Sequence, residues 1–268
     1  MLDTLLAALK RHWLKVLLWL LVLLPLLSFV LVNLALLAYL FWPRSYNAID
    51  FSRFVPVQHH AIVLAHGVTD TPASWALPLR EHFTGQVPDA DLYALDWSAY
   101  ALDPLRCAID GSRIGRRIGE QLVRSKSLQS VHLIAHSCGS FVIYNICRAI
   151  KENHSAIRVQ TTYLDPVSIY GPLFNYGVDH FGDCADYSEA YIDTGDTIRG
   201  SNELLPHTHT YDVTAVRVRQ GVTVNPHVWP TLYYQQLVSA GRAPMLEATP
   251  DLAERKPRGV LEVVEGDG

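Results

Sequence analysis

The chain has 268 residues, of which 49% are hydrophobic, and 22 Lys and Arg stand against 26 Asp and Glu, a formal net charge of -4. That length suits one domain with appendages, and the slightly acidic balance offers no basic surface, so nucleic acid is excluded as a partner. Four cysteines (Cys107, Cys138, Cys147, Cys184) have no metal-ligand spacing, so no metal and no cofactor is expected from them.

The apolar content is concentrated near the start. Residues 16–42, from Val16 to Trp42, hold no Asp, Glu, Lys or Arg and are mostly leucine. Such a run can cross a hydrocarbon core as a helix. Pro25 is tolerable within it, and Trp13, Trp19, Tyr39 and Trp42 lie towards its ends, where aromatic belts form. Lys10, Arg11 and Lys15 precede the run, while Arg44 and Arg53 against Asp50 follow it. The positive-inside bias then predicts a short cytoplasmic segment (1–15), a transmembrane signal anchor (16–42) and the rest on the outer side, periplasmic or lumenal and extracellular. A cleaved signal peptide is the rival; the run is longer than a signal core and no Ala-x-Ala site follows it.

Residues 43–60 read as a linker. Ala61 to Ala65 is a continuous apolar run, as in a strand buried on both faces, and it ends in His66-Gly67-Val68-Thr69-Asp70. A helix is predicted over 73–83, a strand over 91–95 and an amphipathic helix over 109–124. Val131 to Ala135 is a second buried strand, followed without a gap by His136-Ser137-Cys138-Gly139 and a helix to about residue 151. Val159 to Leu164 is a strand ending in Asp165-Pro166. A short strand is expected at 189–193, another strand over 210–218 and a closing helix over 231–238 behind Pro230. Residues 61–240 form the expected domain, and 241–268, rich in Pro, Glu, Arg and Gly, read as a mobile tail. Alternating strands and helices predict an α/β fold, a mostly parallel sheet covered by helices on both faces. Ligands bind such sheets at the carboxyl ends of the strands, here at Gly67-Val68, Ser137 and Asp165.

The strand, serine and helix around Ser137 have the form of a nucleophile elbow. A sharp turn strains the serine and leaves room only for small flanking residues, here Ala135 and Gly139. A serine hydroxyl needs a base. In sheets of this kind the base comes last, after the final strand, which selects His227 over His209 and His207; His136 neighbours the serine but is expected to point away. The acid that orients the base is Asp165, directly after the elbow helix, with Asp193 and Asp196 as alternatives one strand on. The bland reading of Asp165 is a turn aspartate before proline. The backbone N–H groups of Cys138 and Val68 are the expected oxyanion donors, with His66, Gly67 and Gly139 shaping the turns. Cys138 and Cys147 read as buried small residues, and Cys107 with Cys184 as a pair compatible with an oxidising compartment. Asn153-His154-Ser155 is a glycosylation sequon if the domain is lumenal.

Leu64-Ala65-His66-Gly67, Leu95-Asp96-Trp97-Ser98 with Tyr100, Val131 to Gly139 and Leu164-Asp165-Pro166 resemble the pancreatic-lipase-like branch of the α/β-hydrolase fold serine hydrolases, over roughly residues 60–235. The resemblance implies ester hydrolysis on lipids or lipid-like substrates, and an acid after the strand that follows the elbow helix, hence Asp165. Ala135 and Cys138 depart from the branch's usual Gly and Leu, and neither a long cysteine-bracketed lid nor a C-terminal β domain is seen. Some members bind calcium through loop acids; Asp183, Asp186, Asp193 and Asp196 lack the spacing of a calcium loop. The expectation is a membrane-anchored esterase or lipase with a Ser137, His227, Asp165 triad, acting on a lipid or small ester. A non-catalytic binding module and an acyltransferase using the same residues are the alternatives.

Overall fold

The structure, a computed structural model, describes residues 2–153, 156–170 and 175–266. Part of the Asn153-His154-Ser155 sequon therefore lies outside the described residues. The chain divides into two units, Met1–Arg44 and Ser45–Gly268.

The first unit is one helix, α1 (Leu2–Phe41), which runs through Pro25. From Lys10 on, its apolar side chains are exposed on every side, apart from Leu40 near its end, which is buried. A core helix would bury a face; this one is long and apolar enough to cross a membrane. In its second half Asn33 donates from Nδ2 to its own helix at Phe29 O, 2.7 Å away.

The second unit is built on strands and helices in alternation: β1 (His60–Ala65), α2 (Ala76–Gln86), β2 (Ala90–Leu95), α3 (Cys107–Leu122), β3 (Ser130–His136), α4 (Ser140–Asn153), β4 (Arg158–Leu164), α5 (Tyr176–His180), β5 (Tyr187–Ile192), β6 (His209–Asp212), α6 (Thr214–Arg219), α7 (Trp229–Ser239), α8 (Leu252–Arg255) and β7 (Val260–Val263). All seven strands pair in parallel, in the order β2-β1-β3-β4-β5-β6-β7. This is the α/β-hydrolase arrangement, with its chain reversal beside β1 and β3. Because side chains alternate, each strand feeds two cores. Val63, Leu133, Ala135, Val159 and Tyr163 face α3 and α4. Ile62, Leu64, Ile134, Leu164 and Tyr191 face α2 and α7. Helices α3 and α4 approach closely at Gly115, where a Cβ would stand 2.1 Å from Val142 O.

Four expectations change. The linker is shorter than expected, because residues 45–60 belong to the folded unit: Tyr46 and Phe54 are buried, and Tyr46 Oη donates to Asp110 Oδ1 at 2.8 Å. The strand expected over 210–218 stops at Asp212, whose carboxylate accepts from Thr214 N and starts α6. The expected mobile tail instead folds back: Gln160, buried in mid-sheet, donates to Pro244 O and accepts from Leu246 N, both at 2.8 Å, and β7 then extends the sheet beside β6. A buried amide needs partners for both its donor and its acceptor, and the C-terminal segment supplies one of each. Finally, the cysteines pair as Cys107–Cys138 and Cys147–Cys184, not as Cys107 with Cys184, because α3 and α4 share one face of the sheet and bring each elbow-side cysteine to a different neighbour.

Candidate active site

Parallel pairing sets every loop that follows a strand on one edge of the sheet, and the candidate residues collect there. Ser137 follows β3 with φ 55°, a left-handed backbone unusual for a residue with a side chain. Such a conformation costs about 1–3 kcal/mol and persists only where the surroundings impose it. Here β1 imposes it. A Cβ on Gly139 would lie 2.5 Å from Ala65 O, and one on Gly67 would lie 2.9 Å from Ser137 Cβ. The turn thus passes so close to the end of β1 that glycine is required on both sides. The disulfide from Cys138 to Cys107 ties the residue after the serine to the start of α3.

His66 braces the first loop. It is fully buried, its Nδ1–H donates to Gly67 O at 2.9 Å, and its Nε2 accepts from Trp97 N at 3.3 Å while Trp97 Nε1 donates to His66 O at 2.9 Å. Burial holds its pKa below the ordinary value, consistent with this neutral tautomer. Val68 follows, and its N–H makes no hydrogen bond among the described residues. Thr69 N donates to Ala101 O at 2.8 Å and fixes the loop.

His227 lies just before α7, positioned by Asn225 Oδ1, which accepts from His227 N at 3.0 Å. Its Nδ1 is 2.8 Å from Asp165 Oδ2 and 3.0 Å from Asp196 Oδ2. An ionised carboxylate only accepts, and with Asp196 ionised Nδ1 carries the proton and Nε2 is left for other work. Burial acts to lower the His227 pKa, but the hydrogen bonds and charges of Asp165 and Asp196 outweigh it and the net shift is upward. Burial pushes Asp165 up to about 7. Asp196 goes the other way: burial is opposed by hydrogen bonds from Ser201 and Ile198 and by the His227 charge, and its pKa ends below the ordinary carboxylate range.

The histidine beside the serine departs from expectation. His136 does not turn away: its ring lies 4.7 Å from that of His227, and its Nε2–H donates to His227 O at 2.8 Å. Burial, aided by the His227 charge, lowers its pKa to about 4, so it packs as a neutral brace. The remaining rivals are engaged elsewhere. His209 contacts Pro257 O and Glu262 Oε2, each at 3.0 Å, beneath β7. Asp193 is bound by Arg217, with Nη2 3.1 Å from Oδ1. Asp186 meets Lys151 Nζ at 2.7 Å, so the four loop aspartates do not assemble. Among the described residues, the one trio of potential ligand atoms within 4.8 Å is Asp165, Asp196 and His227, and its donor is spent on its two acceptors.

A cavity of about 560 Å³ opens over this edge. Val68, Ser137, Cys138, His136 and His227 line it, with apolar walls from Trp75, Pro104, Val167, Ile169, Ile198 and Leu232. Asp70 and Arg199 bring one charge of each sign. Ser137 and His227 face the same space; among the described residues no hydrogen bond joins Ser137 Oγ to the imidazole. Asp196 is the residue the sequence left as an alternative. Its only signal was its place three residues after Asp193, beyond the end of a strand.

No family model matches this chain, and no curated protein does. Among solved structures, similarity is found to an extracellular α/β-hydrolase from a Paenibacillus species, described as sharing structural and functional homology with tobacco salicylic acid binding protein 2, at 16% identity and a TM-score of 0.29, over 41% of each chain. A second is a protein described as an α/β-superfamily hydrolase from Xanthomonas campestris pv. campestris, at 15% identity and a TM-score of 0.47, over 71% of this chain and 99% of that one. The chain therefore spans about two fifths of the first of these.

Proposed function

We propose that this chain is a membrane-anchored serine hydrolase that cleaves carboxylic esters. The observation that carries the reading is the strained Ser137, held left-handed at the turn from β3 to α4, over a cavity it shares with an imidazole whose other nitrogen is held by carboxylate. In this reading Ser137 Oγ attacks the acyl carbonyl while His227 Nε2 takes its proton. The imidazolium gives that proton to the leaving alcohol, and water then repeats the sequence on the acyl-enzyme. The side chains of Asp165 and Asp196, both on Nδ1, keep it protonated and stabilise the imidazolium. The N–H groups of Val68 and Cys138 receive the oxyanion. The apolar walls suit an acyl chain, and α1 would keep the site close to a bilayer that supplies amphipathic esters. Two disulfides favour an oxidising compartment, which agrees with a domain on the outer side and α1 as its signal anchor.

The test uses the full chain in detergent, with p-nitrophenyl esters from acetate to palmitate and a fluorophosphonate probe. Hydrolysis and labelling are both expected, and both disappear in Ser137→Ala. The chain-length optimum chooses between esterase and lipase. A folded protein that neither turns over these esters nor labels at Ser137 is a binding module instead.

A further inference from the structure

Two carboxylates meet one imidazole nitrogen, where a triad needs one. Asp165 comes from the end of β4 and Asp196 from the turn after β5, and each places Oδ2 within 3.0 Å of His227 Nδ1. Neither is drawn away by a cation, since the nearby guanidinium of Arg217 is taken by Asp193. Both are buried, and two buried carboxylates this close cannot both ionise cheaply. Their surroundings differ. Asp196 accepts from Thr197 N at 2.7 Å, Ile198 N at 3.1 Å and the Ser201 hydroxyl, three donors that favour the charged form. Asp165 Oδ1 is buried without a partner among the described residues, which suits the carbonyl oxygen of a neutral acid, its proton on Oδ2, better than a charged oxygen. The upward shift at Asp165 and the downward shift at Asp196 follow the same division.

We propose that His227 is positioned by a carboxylate pair holding one proton, with Asp196 as the charged second positioning residue and the proton resting on Asp165. The role in turnover rests on the hydrolase reading; the pairing itself rests only on geometry. Protons balance: the Ser137 hydroxyl proton moves to His227 Nε2 and on to the leaving group, while the Nδ1 proton and the carboxyl proton stay where they are. The unit then passes from one net negative charge to zero as the imidazolium forms. The other groups facing His227 are His136 from β3, neutral through burial, and Asp70 and Arg199 across the cavity, which oppose each other in sign.

Two measurements on the full chain in detergent test this. The first is the rate of fluorophosphonate labelling against pH for wild type, Asp165→Asn, Asp196→Asn and the double variant. It is paired with a ¹⁵N-histidine titration of the His227 signal, identified by its loss in His227→Gln. Each single variant should keep labelling to within about 100-fold, because one carboxylate remains. The double variant should lose about 10⁴-fold and lower the His227 pKa by at least about one unit. A single variant that matches the double in both rate and pKa overturns the pair. The second measurement is infrared difference spectroscopy at neutral pH, which needs neither activity nor the double variant. Glu189 contributes a carboxylic-acid band common to all forms; the part of the band that Asp165→Asn removes should be removed equally in Asp196→Asn, where Asp165 is free to ionise. A band unchanged in Asp196→Asn overturns the shared proton. Failure of wild type to label would count against hydrolysis and leave the titration and the infrared result to decide the pair.

Discussion

Asp110 and Asp193 are buried against arginines, whereas two other buried acidic clusters have no Arg or Lys ion pair among the described residues, and these two are built differently. One is the Asp165, Asp196 and His227 cluster at the strand ends. The other lies in mid-sheet on the α2 and α7 face, where Glu189 of β5 accepts from Thr162 Oγ1 at 2.8 Å, Tyr187 Oη at 3.1 Å and Tyr191 Oη at 3.2 Å, and Thr162 reaches His132 Nε2 at 2.8 Å. Burial raises Glu189 to about 7 and lowers His132 to about 3. Both groups are therefore driven towards their neutral forms. The mid-sheet cluster packs against Phe83, Tyr191 and the returning C-terminal segment, away from the cavity at Ser137. The strand-end cluster opens on a cavity, beside a strained serine, with an imidazole between two unlike carboxylates. Burial alone thus perturbs an acid; a cavity and a partner with a free nitrogen make that perturbation usable.

Ser137→Ala should separate the two regions most sharply, with ester hydrolysis falling by about 10⁴-fold or more while the thermal midpoint stays near wild type, as followed by activity assay and calorimetry. Glu189→Gln should do the converse, leaving kcat/KM within about threefold, since its neighbours do not touch the cavity. A smaller effect concerns the acid limb of activity. His227 must be neutral to act as base, and its pKa is raised, so kcat/KM should fall with decreasing pH through a value above the ordinary histidine pKa of about 6.5. Glu189→Gln should leave that limb in place. The same variant should alter stability against pH. The Glu189 pKa in the folded state lies above the ordinary glutamate value of 4.5, so its contribution is fully present below about 4.5 and is lost as pH rises through about 7. Denaturant unfolding of Glu189→Gln should show less decline across that window. Gln160→Ala would expose how far the mid-sheet packing depends on the C-terminal segment. It strips partners from Pro244 O and Leu246 N and should cost about 1–3 kcal/mol, whereas Glu247→Gln, a half-exposed partner of Arg158, should cost at most about 1 kcal/mol.

Much of the strand-end region was legible because local rules wrote it. The buried strand before Ser137 and the helix after it follow from local pattern, while Gly139 sits where the end of β1 leaves no room for a Cβ. Asp165 and His227, picked from their order after successive strands, meet at 2.8 Å. What was not legible depended on contacts between distant segments. Asp196 and Asp193 look alike in sequence, and only Arg217 in α6 separates them by taking Asp193. His136 looked like an outward neighbour of the serine, yet the loop carrying His227 turns its carbonyl onto that ring. The cysteine pairing followed from which faces α3 and α4 share, and sequence spacing does not encode it.

By itself, the sequence determined that a long apolar helix precedes an alternating α/β chain, that its strands are buried on both faces, and that a serine stands at a strand-to-helix turn. Each of these is a matter of periodicity or of sterics within a few residues. The tertiary structure alone decided that the last residues close the sheet as β7, that Gln160 needs them, and that two carboxylates from separate strands converge on one imidazole. Those outcomes turn on satisfying buried polar groups across gaps of tens of residues. Parallel pairing brings such groups together, and no local pattern announces them.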